Sequence, residues 1–199
     1  MTDHTPASKN TCKMQLTSLQ IPDVKLISPK RFRDDRGWFN ETWSSDKLAG
    51  LGFVQSFVQD NLSYSSASGT LRGLHCQLPP CAQGKLVSVV TGAIWDFVVD
   101  VRTGSPTFGQ SVRIELDENT PHQLWIPEGF LHGFLTRAPD TRVSYKVTAP
   151  YSPAHDRSIA WNDPFLGLAW GVADPVLSDK DRQAPQLKNS DVHFTYESS

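Results

Sequence analysis

The chain has 199 residues, 38% of them hydrophobic and 20% charged, a balance that is typical of a globular protein and excludes an intrinsically disordered one. The formal net charge of -2 gives no reason to expect nucleic acid or an anionic membrane surface as a partner. Three cysteines, polar residues at the N-terminus and the lack of a long apolar run predict a cytoplasmic protein in a reducing compartment, without a signal peptide or membrane span.

In chain order, residues 1–15 are polar and are predicted to be loosely ordered, and residues 16–199 are predicted to form one domain. A short helix is expected over 45–51, with weaker helices in the C-terminal third. The clearest strands are predicted at 71–77, 85–91, 93–101, 110–116, 122–126, 130–136 and 142–148. Turn residues at intervals of roughly 8–12 residues between these runs predict an all-β sandwich or barrel.

The segment 71–85 carries four polar side chains among residues patterned as buried strand, namely Arg72, His75, Gln77 and Lys85. Polar groups among core strands cost free energy unless they are paired, so this cluster predicts a lined pocket. A histidine takes a proton near neutral pH, and a Lys/Arg pair holds a developing anion. This combination is what proton abstraction next to a carbonyl group requires.

Strand alternation assigns further side chains to a face. Tyr145 shares a face with apolar neighbours along 142–147, and His132 does so along 130–135. Within 71–77, strict alternation would send Arg72 and His75 to opposite faces. A bulge at Gly73 would bring both inward, and the sequence leaves this point open.

A series of ordered motifs runs through most of the chain, at 32–41 (FRDDRGWFNE), 59–61 (QDN), 71–87, 100–109 (DVRTGSPTFG), 125–134 (WIPEGFLHGF), 145–146, 151–153, 161–164 and 177–181. In this order the motifs resemble the dTDP-4-dehydrorhamnose 3,5-epimerase family, over about residues 20–187. The resemblance implies a cupin-type jelly roll, a β-sandwich barrel with a few short peripheral helices. Cys76 is a departure, because the family usually carries an aromatic residue there.

The resemblance also implies the catalytic roles. His75 is implied as the general base, and Asp181 as the carboxylate that orients its imidazole ring. Tyr145 is implied as the general acid on the opposite face of the sugar. Lys85, together with Arg72, is implied to stabilise the enolate oxygen.

A second group of residues is implied to bind the nucleotide sugar: Arg36, Glu41, Gln59, Asn61, His132, Phe32 and Tyr151. Phe32 is expected to reach the site of a neighbouring subunit. The expected assembly is a homodimer in which an N-terminal segment crosses between the subunits.

The implied reaction is epimerisation of dTDP-4-dehydro-6-deoxy-D-glucose at C3 and C5, which gives dTDP-4-dehydro-β-L-rhamnose without a metal or organic cofactor. This step belongs to the route to dTDP-L-rhamnose, used for surface polysaccharides or glycosylated natural products. A single-position epimerase of a related nucleotide 4-keto sugar remains an alternative, because the sequence does not state which carbon is inverted.

Two other classes compete with the epimerase reading. A metal-dependent cupin enzyme is suggested by Pro127-x-Gly129-x-x-His132, the second half of a cupin metal motif, but residues 75–77 do not supply the His-x-His of its first half. A non-catalytic sugar-binding module on the same fold would be expected to have lost the base or the acid. Both His75 and Tyr145 are present.

Overall fold

The structure is a computed structural model that describes residues 13–197. Its strands are β1 (Gln15–Ser18), β2 (Lys25–Ser28), β3 (Arg31–Asp34), β4 (Gly37–Asn40), β5 (Gln59–Ser65), β6 (Leu71–Gln77), β7 (Lys85–Thr91), β8 (Ala93–Asp100), β9 (Arg102–Thr103), β10 (Ser111–Asp117), β11 (Gln123–Ile126), β12 (Phe130–Thr136), β13 (Thr141–Val147), β14 (Asp156–Ser158) and β15 (Phe194–Thr195). The helices are α1 (Ser45–Ala49), α2 (Asp179–Arg182) and a 3₁₀ helix (Leu187–Asn189).

Two antiparallel sheets form the body of the molecule. The six-stranded sheet has the order β1-β2-β11-β7-β13-β5, and the five-stranded sheet has the order β10-β8-β12-β6-β14. The predicted all-β jelly roll with a few short helices is therefore confirmed. The seven predicted strands are also confirmed, with ends that shift by one residue at most. Most of the predicted loose segment 1–15 lies outside the described residues, so the division of the chain at residue 16 stays a prediction.

Three apolar layers follow from the alternation of side chains across these strands. The central layer lies between the two sheets and includes Val87, Val98, Phe134 and Val143. The outer face of the five-stranded sheet is covered by the C-terminal third of the chain through residues such as Ile159, Leu166 and Trp170. The outer face of the six-stranded sheet is covered only in part, by residues from the α1 region such as Leu48 and Phe53.

A β-bulge in β6 determines which of its side chains face the interior. His132 pairs with His75 and Phe134 pairs with Arg72, so two residues of β6 lie opposite the single residue Gly133. Gly73 has a φ of +134°, which only glycine adopts readily. The bulge brings Arg72 and His75 to the same inner face, as the sequence allowed but did not require.

The uncovered part of the six-stranded sheet and the β3–β4 hairpin carry large exposed apolar side chains. Leu62 and Val90 project outward from the sheet, and Trp38 and Phe39 project from the hairpin, with 54–67% of each side chain exposed. Such clustered apolar exposure is typical of a contact surface. Within residues 13–197, no helix has the length and apolar character needed to cross a membrane.

Candidate active site

A cavity of about 400 Å³ opens between the two sheets. Its lining residues come from both sheets and from the segments between and after their strands. They are Arg72, His75, Cys76, Gln77, His132, Phe134 and Asp156 from the five-stranded sheet, Asn61, Ser63, Lys85, Tyr145 and Val147 from the six-stranded sheet, and Gln83, Tyr151, Ser178, Lys180 and Asp181 from other segments. All four predicted catalytic residues are in this set. The cavity is thus the meeting point of groups that are far apart in the sequence.

His75 and Asp181 form the closest polar pair in the cavity. The Nε2 atom of His75 lies 2.5 Å from Oδ1 of Asp181, which is 4% exposed. Asp181 is held in place at the start of α2, where its backbone N–H donates to Ser178 Oγ at 3.1 Å. Serine at a helix N-cap is the expected residue for this bond.

Burial and hydrogen bonding set the protonation of this pair. Burial lowers the pKa of His75 below its ordinary value, although Asp181 acts in the opposite direction. Burial would raise the pKa of Asp181, but the hydrogen bonds from His75 and Ser178 leave it below the ordinary value. The imidazole is therefore neutral at pH 7 and the carboxylate ionised, which is the state that a general base requires.

Tyr145 faces the cavity from the opposite wall. Its ring lies edge-on to His132, with centroids 6.4 Å apart, and near Phe134, with centroids 6.5 Å apart. Its hydroxyl oxygen is 3.2 Å from Ser63 Oγ on the neighbouring strand β5. Burial raises the pKa of Tyr145, so the hydroxyl is protonated at neutral pH and has a proton to donate.

Two cations border the space between His75 and Tyr145. Lys85 begins β7 on the six-stranded sheet, and burial lowers the pKa of its amino group. Arg72 donates from Nε to Ser65 Oγ at 3.1 Å and from its terminal nitrogen to the Tyr64 carbonyl at 2.8 Å. These bonds fix the guanidinium group as part of the cavity wall.

A second His–Asp pair lies deeper, and the sequence predicted only one of its members. Nε2 of His132 is 2.6 Å from Oδ1 of Asp96, which is fully buried on β8. The other carboxylate oxygen of Asp96 has no hydrogen-bond partner within residues 13–197. An acidic residue in the middle of the apolar strand 93–101 was the signal that could have identified it.

The mouth of the cavity is polar. Gln59 donates to Asn61 Oδ1 at 2.7 Å and accepts from the Tyr151 backbone N–H at 3.1 Å, although Gln59 itself does not line the cavity. Asp156 accepts a hydrogen bond from the Tyr151 hydroxyl at 3.1 Å and also pairs with Lys180. Neither Asp156 nor Lys180 was singled out from the sequence.

Three predicted binding residues lie elsewhere in the chain. Arg36 pairs with Asp34 at 2.6 Å on the β3–β4 turn and is almost fully exposed. Glu41 pairs with Lys47 at 2.7 Å, and together with Phe32 it lines a separate surface cavity. A single chain therefore does not bring Arg36, Glu41 and Phe32 to the site of His75, and their binding roles stay predictions.

The two cavity histidines each have a carboxylate partner at Nε2. Within residues 13–197, no group of three or more His, Cys, Asp or Glu side chains is arranged to hold a metal ion. Cys76 lines the cavity and also packs with the apolar layer of the five-stranded sheet, and burial raises the pKa of its thiol to about 11.

Comparison with known proteins gives one consistent family. A family model described as dTDP-4-dehydrorhamnose 3,5-epimerase matches residues 18–189. A Sinorhizobium fredii protein named dTDP-4-dehydrorhamnose 3,5-epimerase is 49% identical over 189 residues, which are 92% of this chain and 95% of the relative.

Two crystal structures share the fold at high coverage. The Bacillus anthracis dTDP-4-dehydrorhamnose 3,5-epimerase with bound TDP and PPi has a TM-score of 0.85 and 48% identity, over 87% of this chain and 99% of the other. The Legionella pneumophila dTDP-6-deoxy-D-glucose-3,5-epimerase in complex with dTDP-4-keto-L-rhamnose has a TM-score of 0.88 and 41% identity, over 93% of this chain and all of the other.

Proposed function

Since the chain belongs to the dTDP-4-dehydrorhamnose 3,5-epimerase family, we propose that it is an isomerase that inverts C3 and C5 of dTDP-4-dehydro-6-deoxy-D-glucose. The product is dTDP-4-dehydro-β-L-rhamnose, a precursor in the route to dTDP-L-rhamnose. One observation carries the proposal: a neutral histidine and a protonated tyrosine face one cavity from opposing sheets. This is the arrangement that inversion of a carbon centre requires.

The substrate chemistry fits these groups. C3 and C5 both flank the C4 carbonyl, so removal of a proton from either carbon gives an enolate. His75 takes the proton, and Asp181 stabilises the imidazolium ion that forms. Tyr145 returns a proton from the opposite wall, which inverts the carbon. A positioned acid or base typically contributes about 10²–10⁴-fold to the rate.

The enolate oxygen needs a positive or hydrogen-bonding environment while it carries charge. Lys85 and Arg72 supply the cations at the cavity wall, and each pre-placed donor contributes about 10²–10³-fold. The scheme uses no metal and no organic cofactor. A single-position epimerase is not favoured, because relatives that are 49% and 47% identical to this chain bear the 3,5-epimerase name.

The polar mouth supports a nucleotide-linked substrate. Asn61, Tyr151 and Lys180 border the opening, where an amide, an aromatic ring and an ammonium group suit a sugar, a base and a diphosphate. Gln59 fixes Asn61 and the Tyr151 backbone in this position. We assign the sugar to the region of His75 and Tyr145, and the nucleotide to the mouth.

We further propose a homodimer with exchange of an N-terminal segment. The exposed apolar residues of the β3–β4 hairpin and of the six-stranded sheet support such an interface. In the dimer, Phe32, Arg36 and Glu41 of each subunit would complete the partner's cavity. Cys76 and Cys81 are both free, which supports a reducing compartment such as the cytoplasm.

The test is proton NMR of dTDP-4-dehydro-6-deoxy-D-glucose in D₂O with the purified, chelator-treated protein. Deuterium at both C3 and C5, with formation of the L-sugar, is the expected result. Exchange at one carbon alone would make the protein a single-position epimerase. The His75→Ala variant should lose nearly all exchange while it keeps its fold by circular dichroism, and full activity in this variant would refute the assignment of the base.

A further inference from the structure

The Tyr145 hydroxyl has one hydrogen-bond partner within residues 13–197, and that partner is Ser63. The two oxygens are 3.2 Å apart, and either can be the donor. Ser63 Oγ also lies 3.5 Å from the Val143 carbonyl oxygen, directly across the β5–β13 ladder. Ser63 and Tyr145 are both half-buried and both line the cavity, so Ser63 places a second hydroxyl beside that of the tyrosine within the site.

The proposed double inversion requires a source of protons for Tyr145, which His75 does not supply. Each inversion leaves His75 with an added proton and Tyr145 without one. Inversion of both C3 and C5 therefore requires that Tyr145 regain a proton between the two steps. His132 and Phe134 flank the ring, and within residues 13–197 Ser63 is the side chain that contacts the hydroxyl and can pass a proton to it.

We propose that Ser63 is a proton relay that returns a solvent proton to Tyr145 after each inversion. This inference rests on the proposed function and extends it. In the relay step, the Ser63 O–H bond breaks as its proton bonds to the tyrosinate oxygen, and Ser63 Oγ takes a proton from a solvent acid. His75 releases its extra proton to solvent, so the protons balance over each cycle.

The hydrogen-bond geometry gives Ser63 two states that match the two states of the tyrosine. When Tyr145 is protonated, it donates to Ser63 Oγ, and Ser63 donates to the Val143 carbonyl. When Tyr145 is a tyrosinate, the Ser63 hydroxyl turns to donate to it. A serine hydroxyl has one donor and two acceptor lone pairs, so it can donate to the tyrosinate while it accepts from water.

The other polar groups near Tyr145 are less suited to this task. An arginine guanidinium group stays protonated in proteins, so Arg72 does not supply a proton. The Nε2 atom of His132 is already bound to Asp96 at 2.6 Å. Ser63 is the neighbour that contacts the tyrosine oxygen and can exchange a proton without forming a stable charge.

The experiment compares Ser63→Ala with wild type in single-turnover and steady-state conditions, by rapid quench and NMR. We expect the first inversion to keep its rate within about two-fold, and steady-state kcat to fall about 10–100-fold with little change in KM. The singly inverted sugar should accumulate in an amount equal to the enzyme. Equal losses in both regimes, or an unchanged kcat, would overturn the relay.

Three additional measurements separate a relay from a purely structural role. Ser63→Thr keeps the hydroxyl and should recover most of the rate, whereas Ser66→Ala, an exposed position three residues along the chain, should match wild type. Imidazole buffer should accelerate Ser63→Ala but not wild type, because it supplies the missing acid. If imidazole does not accelerate a Ser63→Ala protein that has the wild-type melting temperature, the relay is overturned and the proposed function is not. An inactive wild type would overturn the proposed function as well.

Discussion

At the scale of single residues, the cavity sets the pKa of each reacting group by its position. His75 and Tyr145 are both half-buried, and partial burial acts on them in opposite senses: it lowers the pKa of the histidine and raises that of the tyrosine. The imidazole is therefore neutral and the hydroxyl protonated over the same pH range, as the proposed base and acid require.

Asp181→Asn tests how the carboxylate of Asp181 affects the pKa of His75, the proposed base. Without the carboxylate, the imidazolium form loses its stabilisation, so the pKa of His75 falls further. Because activity requires neutral His75 and is lost as the pH falls through this pKa, the acidic limb of the kcat/KM profile should move to lower pH. The plateau should drop about 10²-fold, since the ring loses its orienting partner.

The control for this prediction is Asp179→Asn, an exposed carboxylate two residues earlier in α2. Its pH profile should match that of the wild type. A limb that moves to higher pH in Asp181→Asn would contradict the assigned sign of the interaction.

Tyr145→Phe tests the acid. Removal of the hydroxyl should slow epimerisation by about 10²–10⁴-fold while solvent exchange at the sugar continues, because His75 can return a deuteron to the face from which it took the proton. Proton NMR in D₂O reports both processes in one sample. Tyr64→Phe, on the outer face of the same sheet, is the matched control. Parallel loss of exchange and epimerisation would mean that Tyr145 is more than the acid.

Residue-level reasoning from the sequence identified His75, Lys85 and Arg72 because polar side chains interrupt a buried pattern. It did not find Asp96, although the same argument applies to an acidic residue in an apolar strand. Asp181 entered only through the family resemblance. A short polar run such as 178–181 reads locally as a helix start, and nothing in it indicates a partner 106 residues away.

At the scale of elements, the turn residues between strands explain why the strand limits could be predicted closely. Gly, Pro and Asp break the β pattern at defined points, so the sequence states where each strand ends. The bulge in β6 was left open for a related reason. Glycine permits a bulge but does not require one. Whether the bulge forms depends on Gly133 of the neighbouring strand, which lies opposite it.

Gly73→Ala tests the importance of this bulge. A Cβ atom at residue 73 would lie 2.5 Å from the Gly133 Cα atom and 2.9 Å from the His132 carbonyl oxygen, and the φ of +134° is strained for alanine. We expect a loss of about 2–5 kcal/mol in the free energy of unfolding, measured by urea denaturation. Activity should fall as well, because the bulge places Arg72 and His75 on one face.

Gly50→Ala is the control for the bulge variant. Its φ of -62° suits alanine, and the nearest atom to the added Cβ would be a backbone oxygen at 3.4 Å. Its stability should stay within about 1 kcal/mol of the wild type. An equally stable Gly73→Ala protein would mean that β6 can reach the same register without the bulge.

At the scale of the whole molecule, the apolar surface of the six-stranded sheet predicts self-association. Leu62→Asp or Val90→Asp would place a charge in the proposed interface, where desolvation makes it costly. Light scattering after gel filtration should give twice the chain mass of 22.1 kDa for wild type and a smaller mass for either variant. Activity should fall as the dimer is lost, because Phe32, Arg36 and Glu41 would no longer reach a partner's cavity.

The matched control is Phe165→Asp, an exposed apolar residue in the segment that covers the other sheet. This variant should keep the mass and activity of wild type. A wild-type protein that is monomeric and fully active would refute both the interface and the exchange of segments.

The position of Asp181, late in the chain, has a consequence for synthesis of the protein on the ribosome. Every strand of the two large sheets precedes α2 in the chain, so His75 is synthesised long before the carboxylate that orients it. At about 5–20 residues per second, the nascent polypeptide spends several seconds with its base unpaired. A chain whose synthesis stops before residue 181 therefore has His75 without the carboxylate that contacts it.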